Sequence, residues 1–121
     1  MELKVIDKAF SVCKVTSLQQ VDLEDEYVFI GKTSEEISVV CETQKVPQKV
    51  EGVEHGWCAL KIQGILDFSL IGILAPIATL LAEAEIGIFV VSTFNTDYIL
   101  IKQEQLDKAK EVLTQNQYTI F

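Results

Sequence analysis

The fold of this chain is decided by residues 57–121, which read WCALKIQGILDFSLIGILAPIATLLAEAEIGIFVVSTFNTDYILIKQEQLDKAKEVLTQNQYTIF. A strand-like apolar run, a helical pattern and another apolar run follow one another twice in this stretch. The strand-like runs lie at 58–62, 86–93, 98–102 and 118–121, and the helical patterns end at Glu85 and span 103–115. Strand–helix–strand written twice predicts a βαββαβ sandwich, an α+β fold of ferredoxin-like type with both helices on one face.

The first helical pattern has a clear apolar stripe. Its members are Leu74, Ile77, Ala78, Leu81 and Ala82, at the spacing of one face of an amphipathic helix. Two starts stay open, one at Ser69 and one at Ala75. Gly87 is the predicted stop signal. Residues 88–91 are apolar at every position, which favours a strand buried on both faces or near the centre of the sheet.

Residues 1–55 read as β-rich. Strand patterns lie at 10–15, 27–31 and 37–41, with a hairpin turn at 32–36, and 17–23 has short helical spacing. Residues 46–56 contain Pro47, two glycines and several charges, and so read as a connector. We therefore predict a division into residues 1–55 and 56–121.

Size and hydropathy indicate a protein with a real core and no membrane partner. The chain has 121 residues, of which 49% are hydrophobic. The longest apolar candidate, 68–82, contains Pro76 and falls short of the roughly 18–20 residues of a membrane span. Glu2 and Asp7 lie where a signal peptide would be basic and apolar. We expect a cytoplasmic protein.

Charge and cysteine usage exclude further classes. A net charge of −8 argues against nucleic acid, whose backbone requires a basic surface. Cys13, Cys41 and Cys58 are widely spaced and have apolar neighbours, which predicts buried thiols in a reducing compartment. His55 is the only histidine, so we expect no metal site and no cofactor. No Ser/His/Asp order, GxGxxG motif or P-loop indicates catalysis, and we expect a protein that is not an enzyme, with no catalytic residues.

The loop at 64–72 is the first candidate binding element, because it follows a strand and opens a helix. Asp67 or Ser69 suits a helix N-cap, and capping alone would explain both residues. A helix N-terminus also attracts carboxylate and phosphate groups. Gly72 would let such a ligand approach the backbone.

The turn at 92–97 is the second candidate element. As a plain turn it needs no further role, because Asn and Asp favour tight geometry. As a site, it offers the Asp97 carboxylate for an ammonium group, hydrogen bonds from Thr93 and Asn95, and an apolar wall from Phe94. Beside a helix N-terminus, it would complement a zwitterion.

These residues also carry a resemblance. The segments GWCALKIQG (56–64), LDFSLIGILA (66–75) and IGIFVVSTFNTDYIL (86–100) resemble an ACT domain. More narrowly, the chain is similar to the small bacterial ACT proteins related to the cytosolic arginine sensor of animals. The resemblance is strongest over 56–115. It extends more weakly to 10–15 and 27–42, where that group carries a reduced, β-rich ACT-like first half.

The resemblance implies an allosteric regulatory or sensory module that binds a small ligand, often an amino acid, where ACT domains face each other. It also implies side-by-side pairing, and so a homo-oligomer, with a dimer favoured. The positions that match the family's ligand-binding elements are Asp67, Phe68, Ser69, Gly72, Phe94, Asn95, Thr96 and Asp97. The alternative is a protein–protein interaction module that regulates a partner enzyme without a ligand of its own.

Overall fold

The computed structural model describes residues 1–64 and 72–121 of the chain. Its strands are β1 (Glu2–Val15), β2 (Val28–Lys32), β3 (Ile37–Glu42), β4 (Gly52–Ile62), β5 (Ile88–Ser92), β6 (Asp97–Lys102) and β7 (Thr119–Ile120). Its helices are α1 (Leu74–Glu83) and α2 (Leu106–Gln115), and short 3-10 helices lie at Thr43–Lys45 and Gln103–Gln105. No helix in these ranges is long and apolar enough to cross a membrane.

The chain forms two compact units. The larger unit consists of Met1–Asp7 and Cys58–Phe121, and the smaller unit is Lys8–Trp57. The long strands β1 and β4 contribute residues to both units. The division at 55/56 predicted from composition remains a prediction about domains.

The larger unit has the predicted mixed architecture. Its strands lie in the order β1-β4-β6-β5, and β7 pairs with β1. Both helices cover one face, because every second residue of β4, namely Cys58, Leu60 and Ile62, is buried in one cluster with residues of α1, α2 and β6. The helical residues of that cluster are Ile77, Leu81, Ala109 and Leu113. The α+β, ferredoxin-like fold expected from the two strand–helix–strand passages is confirmed.

The neighbour of β4 differs from the simple sandwich. β1 lies between β4 and β7, and it pairs with β7 in parallel, with Glu2 opposite Thr119 and Leu3 opposite Ile120. The Phe121 N–H donates to the Leu3 carbonyl at 3.0 Å, and the Gln63 N–H donates to the Glu2 carbonyl at 2.9 Å. The first residues of the chain thus lie between β4 and the last strand, β7, and hydrogen-bond to both.

Both helices end in the same way, and neither end uses glycine. After α1, Glu85 takes a left-handed conformation, with φ 61°. The Ile86 N–H donates to the Leu81 carbonyl and the Glu85 N–H to the Ala82 carbonyl, both at 2.9 Å. This is the Schellman arrangement. The expectation that Gly87 stops the helix is wrong, because Glu85 already occupies the left-handed position.

The position of β5 also differs from expectation. β5 is the last strand in the order, and its apolar residues are only partly buried. The apolar run at 88–91 indicated apolar side chains on both faces of the strand. Such a run does not indicate whether the strand has a hydrogen-bonded neighbour on each side. Both alternatives expected for this strand, burial on both faces and a place near the sheet centre, are therefore wrong.

The smaller unit has strand order β2-β3-β1-β4. β2 and β3 form the predicted hairpin, and the unit's core contains Cys13, Val15, Val39 and Cys41. The predicted helical stretch at 17–23 forms turns instead. β4 begins at Gly52, so the second half of the expected connector is strand, with Gly56 accommodated at φ +86°.

Candidate functional site

The turn at 93–96 is tied to the end of β4. The Thr96 hydroxyl donates to the Ile62 carbonyl at 2.7 Å, and Thr96 is only 3% exposed. The second predicted element therefore lies at the edge of the sheet where β4 ends. Asp67, Phe68 and Ser69, the predicted residues of the first element, lie outside the described residues.

The turn holds its own shape through two threonines. The Thr93 N–H and hydroxyl both donate to the Thr96 carbonyl at 2.9 Å, and the Thr93 hydroxyl oxygen accepts from the Thr96 N–H at 3.3 Å. The hydroxyl proton of Thr96 is committed to Ile62. Thr93 and Thr96 thus hold the turn in its conformation through their own hydrogen bonds.

The other turn residues are accessible. Phe94 is 79% exposed, and Asn95 is exposed beside it. Asp97 is partly buried at the start of β6, where it pairs with Ser92. The Asp97 carboxylate forms no ion pair with any residue that the structure describes. Its charge remains available to a cation.

Gly72 lines a cavity of about 300 Å³ at the start of α1. The lining residues are Met1, Gly72, Ile73, Asn116, Gln117 and Tyr118. Gly72 has φ +74°, a conformation that L side chains rarely adopt, and a Cβ there would meet nothing within 4 Å. The predicted turn residues are not among the lining residues. The fold brings Gly72 to the end of α2 instead, a neighbour that sequence reasoning missed.

The cavity is lined by two helix ends of opposite partial charge. Ile73 is the N-cap of α1, and its first turn holds no acidic residue; among residues 1–64 and 72–121, no side chain caps this end. Pro76 is the third residue of α1, where a missing N–H costs no bond within the helix. At the opposite wall, the Asn116 side-chain amide donates to the Val112 carbonyl at 2.8 Å, and this bond helps to end α2. The N-terminus of α1 contributes partial positive charge to the cavity, and the C-terminus of α2 contributes partial negative charge.

The end of α2 is built like the end of α1. Gln117 has φ 76°, and the Tyr118 N–H donates to the Leu113 carbonyl at 3.1 Å. The polar residues at 114–117 signal a helix end in the sequence. Nothing in that signal indicates that Gly72 lies opposite, because the two are joined only through tertiary packing.

The three cysteines are buried, as predicted. Burial raises the pKa of all three thiols, and that of Cys41 rises to about 12. The Cys58 Sγ donates to the Ile101 carbonyl at 3.2 Å within the larger unit. Within residues 1–64 and 72–121, no cluster of His, Cys, Asp and Glu has an arrangement that could hold a metal ion.

In the smaller unit, a buried serine is hydrogen-bonded to an exposed histidine, which was not predicted from the sequence. Ser11 is fully buried, and its hydroxyl lies 2.7 Å from Nδ1 of His55 and 2.8 Å from the hydroxyl of Thr43. His55 is exposed, but its Nδ1 atom is hydrogen-bonded to the Ser11 hydroxyl. Because Ser11 is inaccessible to a substrate, the pair satisfies a buried hydroxyl and offers no nucleophile.

Comparisons with known proteins agree with this architecture. A family model of the ACT domain matches residues 52–115. A crystal structure of an Agrobacterium tumefaciens protein is similar over 99% of this chain and 91% of that one, with TM-score 0.87 and 29% identity. A search of curated protein sequences finds no match.

Two further solved structures share the fold at lower identity. A Vibrio cholerae protein of unknown function, for which a transport role has been suggested, has TM-score 0.71 and 22% identity over 94% of this chain and 88% of its own. A chain from the structure of aspartokinase alpha and beta subunits has TM-score 0.66 and 14% identity, over 95% of this chain and 96% of its own. Because the ACT model matches more than half of the 121 residues, this chain belongs to the ACT domain family.

Proposed function

We propose that this chain is a non-catalytic regulatory module that binds an amino acid at an interface between ACT domains of two copies. ACT domains are typically regulatory ligand-binding modules, and the fold recurs in aspartokinase. That background supports a ligand-dependent switch in a regulatory protein. The identity of the ligand must be inferred from the residues of the site.

The observation that carries the proposal is the cavity beside Gly72. Its volume of about 300 Å³ lies at the small end of the range for small-molecule sites. The N-terminus of α1 would attract a carboxylate there, and Gly72, which has no side chain, would let that group approach the backbone. An α-carboxylate is a group that these features would hold.

The remaining proposed contacts come from the turn of a second copy, because the turn residues do not line this cavity. Asp97 would pair with an ammonium or guanidinium group, while Phe94 and Asn95 would provide an apolar wall and a hydrogen bond. Asp67, Phe68 and Ser69 complete the proposed set through the resemblance. L-Arginine is the first ligand to test, because the sequence is similar to bacterial relatives of the animal arginine sensor and guanidinium pairs well with carboxylates.

A second copy of the chain would complete the site. β5 is the last strand of the larger unit, and a terminal strand with apolar residues on both faces favours pairing with another chain. A ligand that bridges two copies shifts the equilibrium between their packings only by its difference in affinity for them.

The test is a thermal-unfolding panel of the proteinogenic amino acids, followed by calorimetric titration of any that stabilise the full chain. A true ligand at 100 times its Kd adds about 2.7 kcal/mol of stability. Asp97→Asn and Ser69→Ala should abolish this gain while the fold persists. Asp107→Asn, in the exposed first turn of α2, is the matched control and should keep it.

The outcomes separate the two functions. Stabilisation by one amino acid, lost in Asp97→Asn and accompanied by a change in mass by light scattering, supports the sensor. If no amino acid stabilises the chain, the sensor proposal fails. The apolar terminal strand β5 then favours the alternative, a module that regulates a partner enzyme through this edge without a ligand of its own.

A further inference from the structure

The two units repeat one structural unit at a spacing of 60 residues. β5, β6 and the second 3-10 helix begin and end 60 residues after β2, β3 and the first 3-10 helix. The strand next to this hairpin is β1 in the smaller unit and β4 in the larger one. β1 and β4 are therefore structural counterparts.

The hairpin turns repeat in atomic detail. The Thr33 N–H donates to the Glu36 carbonyl at 2.9 Å, as the Thr93 N–H does to the Thr96 carbonyl at 2.9 Å. The Thr33 hydroxyl oxygen accepts from the Glu36 N–H at 3.3 Å, the distance found between Thr93 and Thr96. The correspondence thus extends to side-chain bonds and is not limited to topology.

Each unit also has a cavity, although the two cavities do not lie at matching positions of the repeat. In the larger unit, the cavity lies between the start of α1 and the end of α2. In the smaller unit, a cavity of about 240 Å³ lies between the segment that follows β1 and the segment that follows the first 3-10 helix. Its lining residues are Thr16, Ser17, Gln19, Gln20, Pro47 and Lys49.

The lining of the smaller cavity is rich in hydrogen-bond donors. The Ser17 hydroxyl oxygen accepts from the Gln19 N–H at 3.1 Å, so the hydroxyl proton is left to donate. The Gln20 side-chain oxygen accepts from the Lys49 N–H at 3.5 Å, which leaves the Gln20 amide N–H groups as donors. The hydroxyl of Thr16 adds another donor.

Lys49 supplies the charge. In the described part of the chain, Lys8 pairs with Glu42 and Lys45 pairs with Asp22, and neither ion pair includes Lys49. Lys49 is thus a cation without a carboxylate partner among these residues, in a chain of net charge −8. A free cation beside hydroxyl and amide donors matches a carboxylate, which accepts hydrogen bonds at both oxygens.

We propose that the cavity of the smaller unit is a second binding site, which takes a small carboxylate through Lys49, Thr16, Ser17 and Gln20. Its volume suits a molecule the size of a short organic acid. The site is independent of the proposed Gly72 and Asp97 site, because all its residues lie within Lys8–Trp57.

The test is an NMR titration of the ¹⁵N-labelled full chain with succinate, and with neutral succinamide as the ligand control. Succinate should shift the amide signals of residues 16–20 and 49 with saturation, and succinamide should not. Lys49→Met should weaken the apparent affinity about tenfold, since it removes a charge-assisted hydrogen bond. Lys108→Met, an equally exposed lysine of the larger unit, should leave it unchanged.

Three outcomes of this titration would overturn the proposal. Equal affinity in Lys49→Met and the unmodified chain overturns the proposal, as do shifts that are scattered over the surface or equal shifts with succinamide. Lys49 is exposed, so the variant is expected to fold, and its amide spectrum without ligand verifies this. Shifts confined to Gly72 and residues 114–118 would support the first site and refute the second, so failure of one proposal is distinguishable from failure of the other.

Discussion

Thr96 is the residue that ties the candidate turn to the rest of the larger unit. It is buried, and its hydroxyl donates to a backbone carbonyl of β4. Valine has nearly the same shape and lacks the hydroxyl. In Thr96→Val, the Ile62 carbonyl loses its donor, and a buried acceptor without a partner costs about 1–3 kcal/mol.

Urea unfolding of Thr96→Val measures this cost. Thr114→Val is the matched control, because Thr114 is exposed on α2 and the same change there should alter stability by less than about 0.5 kcal/mol. Equal stability of the two variants would show that the hydrogen bond from Thr96 to Ile62 does not contribute to stability.

Because of Cys41, the free energy of unfolding is expected to fall as the pH rises above 9. Its pKa is raised from 9.0 to about 12, first by burial and then by neighbouring groups that include Cys13. The folded state therefore keeps a proton that the unfolded chain releases above pH 9. The resulting stabilisation is complete below pH 9 and is lost as the pH rises towards 12, by up to about 1.4 kcal/mol per pH unit.

Urea unfolding at pH 7, 9 and 10 checks this, with Cys41→Ala for comparison. The variant is expected to be less stable at every pH, because a side chain is removed from the core, but to lose less stability between pH 9 and 10. Parallel curves for the two proteins would rule out the thiol as the source of the slope.

At the scale of elements, the helix ends carry strain that glycine would relieve. Glu85 and Gln117 both take left-handed backbone angles at the position after the helix cap. This conformation costs an L-residue about 1–2 kcal/mol, partly offset by the greater chain entropy that glycine loses on folding. Glu85→Gly is therefore expected to stabilise the chain by about 0.5–1 kcal/mol.

The control is the same substitution inside a helix. Glu111 is exposed within α2, and Glu111→Gly should destabilise by about 0.5–1 kcal/mol. Thermal and urea unfolding of both variants measure whether each substitution raises or lowers the free energy of unfolding. A loss of stability in Glu85→Gly would contradict the strain assigned to this helix end.

Element prediction from the sequence worked where one local signal was enough. The period of Ile77 and Leu81 located α1, and the polar residues between two β-branched runs located the hairpin of β2 and β3. The stop at Gly87 failed because an αL cap is set by hydrogen bonds to the preceding turn, which Glu85 can form despite its side chain. Period and turn signals did not predict the repeat at 60 residues, because the hairpins share Thr33 and Thr93 but few other identities, and only the ACT resemblance implied a reduced first half.

At the scale of the whole molecule, the first residues of the chain belong to the core of the larger unit. Leu3 is fully buried in the cluster that both helices cover. Leu3→Ala should therefore destabilise the chain by about 2–5 kcal/mol, as expected for a large-to-small change in a core.

Leu23→Ala is the matched control, because Leu23 is 60% exposed in the smaller unit. Its unfolding free energy should change by less than about 0.5 kcal/mol. If the two leucine variants were equally stable, β1 could not hold the place between β4 and β7 that the strand order assigns to it.

The candidate site was only partly predictable from the sequence, because some of its residues meet only through tertiary packing. The loop and turn residues could be chosen from their chemistry, and Gly72 does line a cavity. The end of α2 as its opposite wall, and the role of Thr96 as a support, follow from packing. Asp67, Phe68 and Ser69 lie outside the described residues and stay predictions.

By itself, the sequence determined the kind of elements and their order along the chain, because period, turn chemistry and helix patterns act over a few neighbouring residues. It also carried the ACT resemblance, since that lies in contiguous motifs. Only the tertiary structure decided that β1 lies between β4 and β7, that β5 is last in the order, and that Gly72 faces the end of α2. These are contacts between distant residues, whose free energy comes from burial and ladder pairing that no local pattern specifies.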